Sequence, residues 1–235
     1  MRYAIYFTPQ KDDPLTRAAE RWLGRSAFGG HQITPTAAGS FSAAEIAFHT
    51  AAARRYGFHA TLKAPFRLAE GKSEAELIAA LENLAASREP FLVEPVKLAR
   101  LGGFFALVPA VASRELDQLA ADVVTEFEPY RAPLTQDEIA RRNPDGLSPA
   151  QLKNLYKWGY PHVFEEFRFH MTLTGRIPAA EAERMQQAIE EFFGPLLLQA
   201  LQVSTLALFA EPEAGAPFHI MSLHALGGER ERKFA

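Results

Sequence analysis

Cysteine is absent from the 235 residues, which excludes disulfides, thiolate nucleophiles and Cys-based zinc sites. Long apolar runs are missing as well. No stretch approaches the roughly 20 apolar residues of a membrane span, and Met1-Arg2-Tyr3-Ala4-Ile5-Tyr6-Phe7 lacks the apolar core of a secretory signal. Basic charge is in short supply: 25 Lys and Arg against 28 Asp and Glu leave a formal charge of -3, the wrong sign for a general polyanion binder. Local basic pairs occur at Arg54-Arg55 and Arg141-Arg142. The 7 histidines show no His-x-His or His-Glu-x-x-His spacing, so a metal site is not expected. Gly102-Gly103 reads as a turn, because no G-x-G-x-x-G follows a strand. These absences predict a cytoplasmic chain with no metal, no cofactor and no membrane contact.

What is present is a tetrad, His-x-Thr-Leu, found twice. It lies in Tyr56-Gly57-Phe58-His59-Ala60-Thr61-Leu62-Lys63 and in Phe167-Arg168-Phe169-His170-Met171-Thr172-Leu173-Thr174. From the chain's own composition the tetrad is expected about 0.04 times by chance. Both copies alternate as strands do, near residues 57–65 and 164–175. Gly57, His59, Thr61 and Lys63 fall on one face of the first, and Arg168, His170, Thr172 and Thr174 on one face of the second. Phe58, Ala60, Leu62 and Ala64, and Phe167, Phe169, Met171 and Leu173, form the apolar backs. Two such strands side by side would bring two imidazoles to one point.

The rest of the chain supplies a frame. A strand at 3–7 is followed by a helix that Asp13-Pro14 opens. Residues 26–50 have weak periodicity, with a short helix or turn at 41–46. Ser73-x-x-Glu76 is a capping box for the next helix, and short strands follow at 91–93, 96–101 and 104–108, the last two a hairpin on Gly102-Gly103. A helix spans 113–127. Residues 128–162 read as a compact helical connection or lid with an aromatic cluster at Tyr156, Trp158 and Tyr160. A helix from Pro178 to Phe193 and strands at 201–209 and 218–225 complete the chain, and the Arg-rich tail after Gly228 reads as a solvated end. The motif histidines are 111 residues apart, and Phe104 and Phe218 are 114 apart. This near-constant offset predicts a duplicated unit, each copy a motif strand, a helix and a strand pair. The expected architecture is α+β: a single domain over 1–235 with two pseudo-symmetric lobes of antiparallel sheet, outer helices and a central cleft.

The doubled tetrad, its spacing and the two-lobed repeat resemble the two-histidine (2H) phosphoesterase superfamily, which includes RNA ligase-like 2′,3′-cyclic phosphodiesterases. The segments Tyr56–Phe66 and Trp158–Gly175 are most similar to the branch associated with bacterial phosphonate-utilisation operons. The resemblance covers essentially the whole chain and implies the 2H phosphoesterase fold, a phosphonate pathway and a substrate such as a phosphoribosyl cyclic phosphate. The residue types fit that chemistry. Opening a cyclic phosphodiester needs a base for the attacking water and an acid for the leaving alkoxide, and one neutral and one protonated imidazole coexist near neutral pH. Either of His59 and His170 can be the base, the other then the acid. Thr61 and Thr172 are placed to donate to phosphoryl oxygens. Lys63 and Arg168 are candidates for holding the anion, against a solvated Lys and an Arg paired with Glu165 or Glu166. Arg131 and Tyr160, in the connection, are candidates for reaching over the cleft to a second anionic group. His31, His49, His162, His219 and His224 are read as structural. The expected protein is a monomeric, metal-independent hydrolase of a small phosphorylated substrate. The rivals are an RNA-end 2′,3′-cyclic phosphodiesterase or 2′,5′ ligase-like enzyme, which the acidic charge disfavours, and a non-catalytic nucleotide or sugar-phosphate binder.

Overall fold

The computed structural model describes residues 1–34, 36–228 and 232–233. Strand β1 (Arg2–Phe7) leads to α1 (Pro14–Leu23), which Asp13 caps through its side chain onto the Leu15 amide and Gly24 ends in a left-handed conformation. The region of weak periodicity holds a full helix, α2 (Ala43–Tyr56), longer than the turn expected there. Its core-facing side consists only of Ile46, Thr50 and Ala53, too thin an apolar stripe to read from the chain; the Ser42–Glu45 capping box is what starts it. Then come β2 (Ala60–Phe66), α3 (Glu74–Ala86) behind the Ser73–Glu76 capping box, β3 (Phe91–Val93), and the hairpin β4 (Val96–Leu101) with β5 (Phe104–Pro109). Helix α4 (Arg114–Glu126) precedes the connection, which holds α5 (Gln136–Ala140) and α6 (Pro149–Trp158).

The second motif strand, β6 (Met171–Arg176), starts later than the alternation suggested, because residues Phe164–Glu166 form a 3-10 turn. Helix α7 (Ala182–Phe193) follows, and the stretch read as one strand divides into β7 (Leu201–Val203) and β8 (Thr205–Glu211) before β9 (His219–Ala225). Of the tail, Arg232–Lys233 form β10, paired with Leu223 and Ser222. Residues 229–231 and 234–235 lie outside the described residues. No helix among the described residues is long and apolar enough to cross a membrane.

The strands are antiparallel throughout. Eight form one sheet in the order β10-β9-β8-β1-β2-β6-β5-β4, and β3 pairs with β7 separately. Each strand pair lies beside the other copy's motif strand. The β4–β5 hairpin lies against β6, and the β8–β9 pair lies on the β2 side, through β1. Helices cross in the same way, α2 packing on β6 and α4 on β2. The two halves are therefore interlocked around the motif strands. On the apolar face, Leu62, Met171 and Leu173 join Leu77, Val123 and Ile189 in one buried core.

The link from α2 into β2 turns on Gly57, at φ +78° and ψ -179°, a region essentially restricted to glycine. A Cβ there would lie 2.7 Å from Ala27 Cβ. Gly57→Ala is therefore expected to destabilise the chain by about 1–3 kcal/mol, read as a lower denaturation midpoint in urea. A midpoint equal to wild type would show that this turn carries no strain.

Candidate active site

The two motif strands touch at one bridge, Ala60 paired with Met171. Both of these side chains are fully buried. Because neighbours on a strand point to opposite faces, the flanking residues His59, Thr61, His170 and Thr172 turn away from the core. Continuing the antiparallel register sets His59 across from Thr172 and Thr61 across from His170. The two histidines are then diagonal neighbours, a relation that places side chains about 7–8 Å apart in sheets generally. A cavity of about 370 Å³ opens on this face, lined by His59, Thr61 and Thr172 together with Tyr6, Tyr56 and Tyr160. His170 stands beside Phe104, another lining residue, with ring centroids 5.9 Å apart.

The imidazoles are held alike. Nδ1 of His59 lies 2.9 Å from the Gly57 carbonyl oxygen, and Nδ1 of His170 lies 2.8 Å from that of Arg168. A carbonyl only accepts, so each Nδ1 carries a proton and donates, and each Nε2 is left for chemistry. Their surroundings differ. His59 is stacked on Tyr6 at 4.0 Å between centroids and 25° between planes. Burial pushes its pKa down to about 4, with the nearby His170 charge adding to that effect and the Gly57 carbonyl opposing it. His59 is thus neutral at pH 7, with a lone pair on Nε2.

The other expected site residues divide. Tyr160 lines the cavity, and burial raises its phenol pKa against the charge of Arg142. Lys63 does not reach it. Tyr6 pairs with Thr61 but Ile5 with Lys63, so one step along β1 matches two along β2. This bulge breaks the alternation and sends the Lys63 ammonium to the Val124 carbonyl and Glu128, at 3.0 and 3.1 Å. Burial lowers its pKa, with Glu128 opposing. Arg131 is also turned elsewhere, onto Glu128 and the Ala132 and Lys157 carbonyls. It packs under Gly159, where a Cβ would come within 2.9 Å of it. Arg168 supplies its backbone carbonyl to His170, while its side chain does not line the cavity.

A second bulge follows Thr172. Ala106 pairs with Thr172 and Phe104 with Arg176, so two steps along β5 match four along β6. The loosened backbone is kept satisfied: Trp22 Nε1 donates to the Leu173 carbonyl at 2.9 Å, and Thr174 Oγ1 accepts from the Phe105 amide at 2.9 Å. The displacement brings Arg176 onto the cavity wall. Sequence reading missed Arg176, Arg142, Tyr6 and Tyr56, all of which line the cavity. The pair Arg141-Arg142 was visible as local charge, but nothing in the chain ties it to the motif strands. Chemically, the face offers two imidazoles with free Nε2 atoms, two hydroxyl donors and two guanidinium groups. Such a set can accept one proton, deliver another, and stabilise an anion between them.

Two curated relatives, both called ribose 1,5-bisphosphate phosphokinase PhnN, are 37% identical. The one from Janthinobacterium sp. (strain Marseille) matches 98% of this chain and 52% of its own length, and the one from Laribacter hongkongensis (strain HLHK9) 95% and 51%. The chain thus spans about half the length of the curated relatives it matches. Among solved structures, a protein of Thermus thermophilus matches at 14% identity and a TM-score of 0.47, over 98% of this chain and 100% of that one. E. coli LigT complexed with 3′-AMP matches at 14% identity and 0.43, over 96% and 97%. Residues 61–219 match the family described as protein of unknown function (DUF1045), and the chain belongs to that family.

Proposed function

We propose that this chain is a phosphoesterase that hydrolyses a small cyclic phosphodiester, with a phosphoribosyl cyclic phosphate as the specific candidate, by acid–base chemistry between His59 and His170 and without a metal. The observation that carries this reading is the Ala60–Met171 bridge, which sets both histidines and both threonines on the face where the cavity opens. Neutral His59 takes a proton from water at Nε2 as the water oxygen forms its bond to phosphorus. Protonated His170 gives its Nε2 proton to the ring oxygen as that P–O bond breaks, leaving a phosphomonoester and a hydroxyl. Thr61 and Thr172 hold the non-bridging oxygens in line, and Arg142 and Arg176 offset their charge.

The relatives' name points to phosphoryl chemistry on a ribose phosphate, which agrees with the substrate class. The name is that of a kinase, yet the Gly-Lys-Ser run of this chain does not complete a nucleotide-phosphate cradle. Gly71-Lys72-Ser73 has Phe66 where a G-x-x-x-x-G-K-[ST] cradle requires its first glycine. The Ser73 hydroxyl instead accepts from the Glu76 amide to cap α3.

Each proton transfer contributes roughly 10²- to 10⁴-fold. His59→Ala and His170→Ala are therefore each expected to lower kcat by at least about 10²-fold on a cyclic-phosphate panel followed by phosphorus NMR, with EDTA leaving wild type unchanged. Turnover surviving either substitution excludes the mechanism, and loss on chelation excludes its independence of metal.

The depressed His59 pKa has a sign that can be tested. A base with a pKa of about 4 stays unprotonated well below neutrality. The log kcat/KM profile is therefore expected to stay level on its acid side from pH 7 to about pH 5, and to fall with an apparent pKa near 4. An acid limb near the unperturbed value of about 6.5 would remove His59 as the buried base. In unfolding experiments the same group binds fewer protons folded than unfolded between these values. Its contribution is therefore present above about pH 6.5 and lost as pH falls through about 4.

A further inference from the structure

Beside the histidine cavity lies a larger one of about 660 Å³, and the two share Tyr56, Pro65 and Arg142. Its wall holds five arginines and two glutamates, an excess of positive charge in a chain whose formal charge is -3. The charges are not all compensated. Arg2 and Arg55 converge on Glu211, whose carboxylate is fully buried and also accepts from the Gly215 amide at 3.0 Å. Arg67 pairs with Glu138 at 3.1 Å. Arg141 and Arg142 have no carboxylate partner among the described residues. Arg142 lies over the Tyr160 ring, 4.9 Å from its centroid, and lines both cavities.

From this arrangement we infer that the second cavity is a binding site for a phosphate monoester carried by the same substrate whose cyclic ester sits at the histidines, with Arg141 and Arg142 as the residues that select it. The inference rests on the phosphoesterase reading for its first half and on the arginine wall for its second. Guanidinium forks match phosphate oxygens in pairs. An ion held between low-dielectric walls is also attracted more strongly than one at an open surface. The two arginine–glutamate clusters orient the wall: Glu211 fixes Arg2 and Arg55 while leaving that group one positive charge in excess, and Glu138 fixes Arg67. Arg142, standing at the junction, joins recognition of the second phosphate to the site of cleavage. A substrate bearing one cyclic and one monoester phosphate would fill both cavities, whereas a singly phosphorylated one would leave the arginine wall unmatched.

The test compares a ribosyl cyclic phosphate with and without a monoester phosphate on C5. Wild type is expected to favour the doubly phosphorylated ester by about 10²-fold in kcat/KM, mostly through KM. The double variant Arg141→Ala/Arg142→Ala is expected to cut that ratio to within about 3-fold, and Arg141→Lys/Arg142→Lys to restore part of it. Thermal melts matched to wild type show that the variants fold. A wild-type ratio near one, or a ratio unmoved in the double variant, overturns the assignment. If wild type turns over neither ester, the phosphoesterase reading has failed, and the arginine wall is judged separately by calorimetry with ribose 5-phosphate. Binding weakened about 10-fold or more in Arg141→Ala supports the wall as a phosphate site. Undetectable binding, or binding equal in variant and wild type, overturns it.

Discussion

The single backbone bridge between Ala60 and Met171 is the constraint on which the remainder depends. Both bridged side chains are excluded from solvent, and burying them dictates the direction of everything beside them. Had either strand slipped by one residue, an imidazole would point into the apolar core and a methionine or alanine into the cavity. A single bridge joins the motif strands, and each of them bulges against its other neighbour soon after its threonine. A fully paired, flat ladder at this point would present the same four side chains without a concavity to receive a ligand.

Around that contact the chain interlocks its halves. The hairpin following α3 lies against β6, and the strands following α7 lie on the β2 side. Neither motif strand is therefore supported only by its own half of the sequence. Such an arrangement resists separation of the two histidines more strongly than two lobes hinged at a linker, because moving either one disrupts strand pairing on both sides. The matching Nδ1 hydrogen bonds to the carbonyls of Gly57 and Arg168 show the same economy at the level of one residue: each His is oriented by the backbone two positions earlier, so the orienting group travels with it.

Electrostatically the site is asymmetric where the sequence looks symmetric. His59 is stacked and desolvated, with its pKa held down to about 4, while His170 sits beside Phe104 in a more open position. Proposed roles of base and acid follow from that difference in surroundings, since the motifs themselves are alike. The arginines show a similar divergence between composition and placement. An acidic chain concentrates Arg2, Arg55, Arg67, Arg141 and Arg142 on one wall, and only the fold reveals that concentration.

Much of the core of the site was legible before the fold was known. The two-residue period of a strand is local, so the shared face of His59 with Thr61, and of His170 with Thr172, could be read directly. The same period failed at Lys63, because a bulge is a mismatch between two strands and one strand read alone does not contain it. Arg131 was misplaced for a related reason: Glu128, three residues before it, engages its guanidinium, a choice among competing partners that packing settles. Helix α2 escaped because its buried stripe is only Ile46, Thr50 and Ala53. The residue chemistry, the two strand faces, the capping boxes and the hairpin at Gly102-Gly103 are thus properties of sequence, since each depends on neighbours within a few positions. Which strand lies beside which, where Tyr6, Tyr56, Arg142 and Arg176 come to rest, and how far burial depresses the His59 pKa were decided by tertiary structure alone, because pairing, burial and desolvation are set by residues distant along the chain.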